Sequence, residues 1–452
     1  MKYLHGLYTL LFGVAVVLFF GLAYPHHLHY QEQYQLFLFD STYVWEIVKL
    51  PGGVADLLGR FCTQFFLFAW VGALMIAILL SVVQLLMIRL VKWGWLYGLS
   101  FIPSFLLWLF LLDENALLGG VWAVLLTLLA ICGFMLVPKG WGRGIAILVI
   151  IPILYWVVGP AWSGSHYHRY PTVIPYLLYA AWLSAVILPL MVHFIKVQDL
   201  KFKVQGLTFL LVAVVMGIIV WKNANFKAEK VMQYDFMVCH QQWNRILETV
   251  NAEKPNNQIG VTVQNLALAM HGMLAEHLFE YNQNGILGLL PDVERDATSP
   301  MPTAEVFYQL GMIYVAQRTV FEAQEAILDF QKSGRCYKRL AQTNLIIGSY
   351  EVARKYLAAL QKTLFYRDWA NETLQLLGDE KAIASHPEYG RLRQMAYDDN
   401  FYFSDHVTPE MLESLYFSNT DNRLALEYLR AYYMLTNDRE RYTRLLLHLQ
   451  NK

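Results

Sequence analysis

The first 24 residues, MKYLHGLYTLLFGVAVVLFFGLAY (1–24), decide how the whole chain is read. A basic start followed by an apolar run is common to signal peptides and to first membrane helices. No small-residue cleavage site precedes Pro25, and more apolar runs follow, so the segment reads as a retained first span. Working outward, spans are expected at about 4–24, 62–88, 95–112, 116–137, 144–160, 175–195 and 204–221. The third, fifth and seventh are short for a bilayer core, and Pro103 and Pro152 are expected to bend their helices.

Composition agrees with a membrane domain. Hydrophobic residues make up 56% of the 452, above the ~45–50% of soluble domains. The formal charge is zero, but it is unevenly spread. Residues 1–221 hold 11 of the 35 Lys/Arg and 7 of the 35 Asp/Glu, leaving 24 and 28 for residues 222–452. Two regions follow: a transmembrane domain at 1–221, with an interfacial outer loop at 25–60, and a soluble domain at 222–452. The absence of a basic patch argues against nucleic-acid binding. Cys62, Cys132, Cys239 and Cys336 show no metal-site spacing and read as single thiols.

Positive charge sets the expected orientation. With the N-terminus inside, Lys2, Arg89, Lys92, Lys139, Arg143, Lys196, Lys201 and Lys203 are cytoplasmic, against Lys49, Arg60 and Arg169 outside. Seven spans then place the soluble domain on the outer face, which in a bacterial inner membrane of a diderm cell is the periplasmic side.

From Ala228 onward, helix-length apolar patterns alternate with short polar turns, so the expected fold class is all-α throughout. The stretch AEVFYQLGMIYVAQRTVFEAQEAILDF (304–330) has Phe307, Leu310, Gly311, Tyr314, Ala323 and Ile327 where a tetratricopeptide repeat (TPR) has its packing residues. The next unit supplies Gly348, Tyr350, Ala353 and Leu357. This resemblance implies a TPR-like α-solenoid of stacked antiparallel helix pairs, a fold that presents a face to a peptide or partner protein. Trp243 is expected to open a further helix, and Asn437 to separate the last two. The turn-rich stretches 287–302 and 397–411 interrupt the pattern.

The span interiors hold no Asp, Glu, Lys or Arg, and only His193 lies within one, which disfavours ion-coupled transporters and pumps. Polar chemistry gathers in the outer segments instead. The loop YPHHLHYQEQYQLFLFDSTYVWEIVKLPGGVADLLGRF (24–61) carries Glu32, Asp40, Glu46 and Asp56. Tyr30, Tyr34, Phe37 and Leu38 recur at helical spacing, predicting an amphipathic helix over 30–39 bedded in the interface. Asp40 and Ser41 read as caps of a second short helix, which Pro51-Gly52-Gly53 ends. Two further outer segments hold Asp113 with Glu114, and His166 with His168 and Arg169.

A first span, an acid-bearing outer loop, a multispan core and an outer soluble domain together resemble the GT-C class of glycosyltransferases, which use polyprenyl-linked sugar donors. The acidic motif of that class is matched loosely by Gln31-Glu32-Gln33-Tyr34, with Gln31 where its first Asp stands. The resemblance implies Glu32 or Asp40 as the base that takes a proton from the acceptor hydroxyl. It further implies Arg60, His166, His168 and Arg169 facing the phosphate leaving group, and Asp113 and Glu114 positioning sugar or a divalent metal ion. Each residue also has a plain structural reading, as a cap, a solvated turn or a cation reaching lipid headgroups. The chain as a whole also resembles an uncharacterised polytopic bacterial family of Bacteroidetes type, which implies no activity. The alternative expectation is a non-enzymatic, membrane-anchored TPR scaffold that recruits envelope proteins.

Overall fold

The computed structural model describes residues 2–91, 93–138, 140–163, 174–195, 202–293, 299–327, 331–396 and 408–451. Among them there is no strand. The chain divides into two compact units, Met1–Glu229 and Lys230–Lys452.

The first unit is a helix bundle. Helix α1 (Lys2–Leu18) runs into a π-turn at Phe19–Ala23, followed by α2 (Pro25–Glu32), α3 (Ser41–Val48) and α4 (Gly53–Thr63). Then come α5 (Ala69–Leu90), a 3-10 helix at Gly94–Phe101 leading into α6 (Ile102–Phe110), and α7 (Leu118–Leu136). Helices α8 (Trp141–Ser163), α9 (Ile174–Ile195) and α10 (Phe202–Asn223) complete it. Among the described residues, six stretches are long and apolar enough to cross a membrane: His5–Ala23, Ala69–Leu90, Leu118–Leu136, Trp141–Gly159, Tyr176–His193 and Gly206–Asn223. Leu148 and Ile151 of α8 and Leu207, Leu210 and Leu211 of α10 stand exposed, as apolar surface meant for lipid does.

The third expected span is a shorter apolar helix, Leu96–Phe110. Pro103 sits in the first turn of α6, where its missing N–H costs nothing, so it marks the change from 3-10 to α-helix and not a break. The 3-10 part has 8 residues and the α part 9. At ~2.0 and ~1.5 Å per residue they extend about 30 Å. Contacts with α1 agree: the Tyr97 ring stacks on His5 at 4.2 Å, and the Leu112 carbonyl meets the Tyr24 hydroxyl. Residues 97–112 therefore cover the same height of the bundle as residues 5–24. Helix α10 runs the same way as α1, with Phe209 on Tyr8 at one end and Trp221 beside Phe19 at the other. Inside, Phe12 packs edge-on to Phe101, Phe105 and Trp108. The buried Gln84 amide is met by Thr9, Tyr97 and Ser100, which satisfies it without water.

The outer loop corrects one expectation. Residues 30–39 do not form one interfacial helix. Helix α2 ends at Glu32, and 35–40 are non-helical up to the cap of α3. The polar run Gln31, Glu32, Gln33 and Gln35 is buried along with Tyr30 and Tyr34. A regular helix would have turned half of these polar groups to solvent. The break lets Gln31 donate to two main-chain carbonyls and Gln35 accept from Thr63. Pro51-Gly52-Gly53 does end α3, with Gly52 in the left-handed region at φ 82°. The turn is tied to α8: the Gly52 N–H donates to the Trp156 carbonyl, and the Trp156 indole donates to the Val48 carbonyl.

In the second unit, α11 (Phe226–Cys239), which begins within the first, precedes α12 (Trp243–Glu253) and α13 (Gln258–Met270). Then follow α14 (Leu274–His277), α15 (Gly285–Leu289), α16 (Pro300–Leu310) and α17 (Ile313–Ala326). Helices α18 (Gly334–Ile346), α19 (Tyr350–Leu360), α20 (Arg367–Leu376), α21 (Glu380–Ser385) and α22 (Tyr389–Met395) come next. Last are α23 (Pro409–Ser418), α24 (Arg423–Thr436) and α25 (Arg439–Gln450).

One device recurs in this unit. At Gln241, Gly272, Gly311, Gly348 and Asn437 the chain takes a positive φ directly after a helix. At each of them the next N–H reaches back five residues, as Met312 does to Phe307 and Ser349 to Asn344. This is the Schellman ending, and in every case another helix starts within two residues. Helix hairpins thus repeat along the unit. Phe307, Leu310, Ala323 and Ala353 are buried in this unit. Tyr314 and Tyr350 are only half-buried, and with Gly348, Glu380 and Arg393 they line a cavity of about 350 Å³. The stretch Pro300–Pro302, expected as part of a connector, lies inside α16. Residues 397–407 of the second connector lie outside the described residues.

Candidate functional site

The outer loop folds around the N-terminus of α2. Pro25 occupies the first turn, so the exposed donors there are the N–H groups of His26 and His27. Both donate to one carboxylate, Glu229, at 2.8 Å each, one to each oxygen. An acid about two hundred residues away thus caps this helix, at the end where its dipole favours negative charge. Burial nevertheless pushes the Glu229 carboxyl up to about 8, against the two N–H bonds that hold it ionised.

Tyr24 closes the same corner. Its hydroxyl lies 3.5 Å from the Leu112 carbonyl and accepts the Asn225 N–H at 3.1 Å. The His27 ring is fully buried, and its Nε2 donates to the Leu111 carbonyl at 2.9 Å. Burial lowers its pKa to about 4, so the ring is neutral. With Nε2 carrying the proton, Nδ1 is bare and meets no hydrogen-bond partner among the described residues. The Gln31 amide donates to the carbonyls of Asp113 and Ala116. Burial raises the Asp113 carboxyl to about 6, partly offset by the Asn115 N–H at 2.9 Å.

The sequence-derived candidates now have places. Glu32 is buried at the end of α2. Asp40 caps α3, accepting the Tyr43 N–H at 3.1 Å. Arg60 is bound to Asp56 one turn away, through Nε at 3.0 Å and Nη2 at 2.7 Å. Gln31 brings α2 to the turn that carries Asp113 and the half-buried Glu114. His166, His168 and Arg169 lie outside the described residues. Among the described residues no group of three His, Cys, Asp or Glu side chains is arranged to hold a metal ion.

Tyr24 and Glu229 were not singled out from the sequence. Nothing in the local pattern at Glu229 announces a cap for a helix so remote in the chain. Gln31 is explained by what it does: its place needs a donor to two carbonyls, which an ionised aspartate cannot supply. The knot is acid-rich, with Glu229, Glu114 and Asp113 all raising the Tyr24 phenol beyond the effect of its burial. Chemically it holds α1, α2 and α6 together.

The chain belongs to the Family of unknown function (DUF6057), whose model matches residues 1–163 and 160–452. No curated protein and no solved structure matches it.

Proposed function

We propose that this protein is a membrane-anchored recruitment protein, with the first unit in the bilayer and the second, a TPR-like hairpin array, binding an envelope protein outside the cytoplasm. The observation that carries this reading is the state of the loop. Asp40, Arg60 and Glu229 are each engaged in a bond that holds the fold, while the hairpin unit keeps open cavities at its surface. The 30 Å reach of residues 94–110 supports a seventh crossing. An odd number of crossings and the Lys/Arg bias favour a second unit on the periplasmic side of a bacterial inner membrane.

A second reading keeps a GT-C-like transferase, since an acid near 6 such as Asp113 has a proton affinity suited to general catalysis. A photo-crosslinking residue placed at the exposed Phe321 or Val352 separates the two. Recruitment predicts one discrete protein adduct in intact cells and unchanged envelope glycans when the gene is deleted. No adduct, together with loss of sugar transfer in Glu32→Gln membranes, overturns it in favour of the transferase.

A further inference from the structure

Helix α4 lies beside α7 and α8 and not above them. Gly59 faces the start of α7, so close that a carbon added to it would strike the Gly119 amide. One turn earlier in α4, Ala55 is buried in a small cluster with Ala123 of α7 and Val158 of α8. From Gly119 to Ala123 the α7 axis descends into the bundle by about 6 Å. The first residues of α4 are therefore its deepest. The turn that precedes them is bound to Trp156, through the Gly52 N–H and the Val48 carbonyl. Trp156 lies inside the apolar stretch Trp141–Gly159.

The hairpin of α3 and α4 is equipped for that depth. Its turn leaves few polar groups to water: beyond the two bonds to Trp156, the Leu50 N–H donates to the Ile47 carbonyl and the Gly53 N–H to the Leu50 carbonyl. The charged residues of α4 are Asp56 and Arg60, and they pair with each other. Both features are needed where water is scarce. The side chains turned away from the bundle are large and apolar. Trp45 is 66% exposed and Leu50 56%, and Phe39 and Phe61 are exposed as well. Glu46 and Lys49 of α3 are also exposed, on stems long enough to carry their charge to headgroups.

Two apolar faces lead into this surface. On α5, Val71, Leu74 and Ile78 stand exposed along one side. Just before that helix Phe65 meets the Phe61 ring at 5.6 Å, and Phe61 in turn meets Phe39. On α8, Leu148, Ile151 and Tyr155 are exposed in series and end beside Trp156.

We propose that α3, the turn at Pro51-Gly52-Gly53 and α4 form a re-entrant hairpin that dips into one leaflet, with Trp45, Leu50, Phe39 and Phe61 against lipid where headgroups meet acyl chains. Lipid is the occupant because the surface continues two faces that spans present to acyl chains, and because Trp and Lys suit that boundary. The hairpin enters a leaflet whichever side the N-terminus is on, and whether or not the second unit recruits a partner.

The test places benzoylphenylalanine at one position at a time in the full-length protein, in nanodiscs of phosphatidylethanolamine and phosphatidylglycerol. Trp45→benzoylphenylalanine and Leu50→benzoylphenylalanine probe the hairpin. The same change at Leu148 of α8 is the lipid-facing control, and at Phe321 of the second unit the control away from lipid. All of these side chains are exposed, so the variants are expected to elute like the parent. After irradiation the intact mass is expected to rise by one phospholipid for positions 45, 50 and 148 and to stay unchanged for 321. A lipid adduct at Leu148 with none at Trp45 or none at Leu50 overturns the proposal. So does a doubled mass from either hairpin position, which would mean that a second copy covers the surface. Lipid labelling at Phe321 as strong as at Trp45 overturns it too, since contact would then not follow depth.

Discussion

Glu229→Leu is expected to destabilise the first unit by about 2–4 kcal/mol, because two buried donors lose their acceptor at once. The His26 and His27 N–H groups have no intrahelical partner at the start of α2, and both oxygens of Glu229 supply what the helix lacks. Leucine fills the space and meets neither donor. The pH dependence should change as well. The folded carboxyl titrates near 8, against an ordinary value of 4.5. Between those values the unfolded chain has released its proton while the folded one keeps it. The folded state therefore binds more protons, and this contribution to stability falls as pH rises from about 4.5 to about 8. Asp113, raised to about 6, adds a slope of the same sign at lower pH. Thermal unfolding in detergent across that range should show the parent losing stability with rising pH and Glu229→Leu following a flatter course. A variant as stable as the parent, with the same pH slope, would remove Glu229 from the account.

Gly59→Leu should be the more damaging change. Helices α4 and α7 meet backbone to backbone there, and even a single carbon added at Gly59 would collide with the amide of Gly119. A flexible side chain could give way, but here the obstacle is main chain. Separating the helices also strains the turn at Gly52 that ties the loop to Trp156. Overpacking of ordinary cores costs about 1–3 kcal/mol, and an immovable neighbour puts this case at or above the upper end. Gly133→Leu is the control, since an added carbon at Gly133 of α7 meets nothing within 4 Å. The expected result is loss of monodisperse protein after detergent extraction for Gly59→Leu alone. Equal behaviour of the two variants would mean the close crossing is dispensable.

Much of the architecture was legible from periodicity. Trp243 opens α12, Asn437 divides α24 from α25, Asp40 caps α3, and Pro51-Gly52-Gly53 ends it, because each depends on its immediate neighbours. What escaped is non-local. Helical spacing at 30–39 suggested a surface helix, but the polar residues are buried, with Gln31 and Gln35 bonded inside the protein, and burial overrode the pattern. The cap from Glu229 joins segments that no local rule connects. The third span looked merely short, since residue counting assumes α-helical rise and a 3-10 segment reaches further per residue. Gln241 also adopts a left-handed turn where glycine would be the usual choice, so its hairpin leaves no glycine signal.

The central claim is that the two ends of the chain lie on opposite sides of the membrane, with the hairpin unit outside. It is tested by tagging each terminus and treating intact spheroplasts of a bacterial host with protease. The account predicts loss of the C-terminal tag and digestion of the second unit while the N-terminal tag is protected. Protection of both tags, or loss of both, would give an even number of crossings and contradict it.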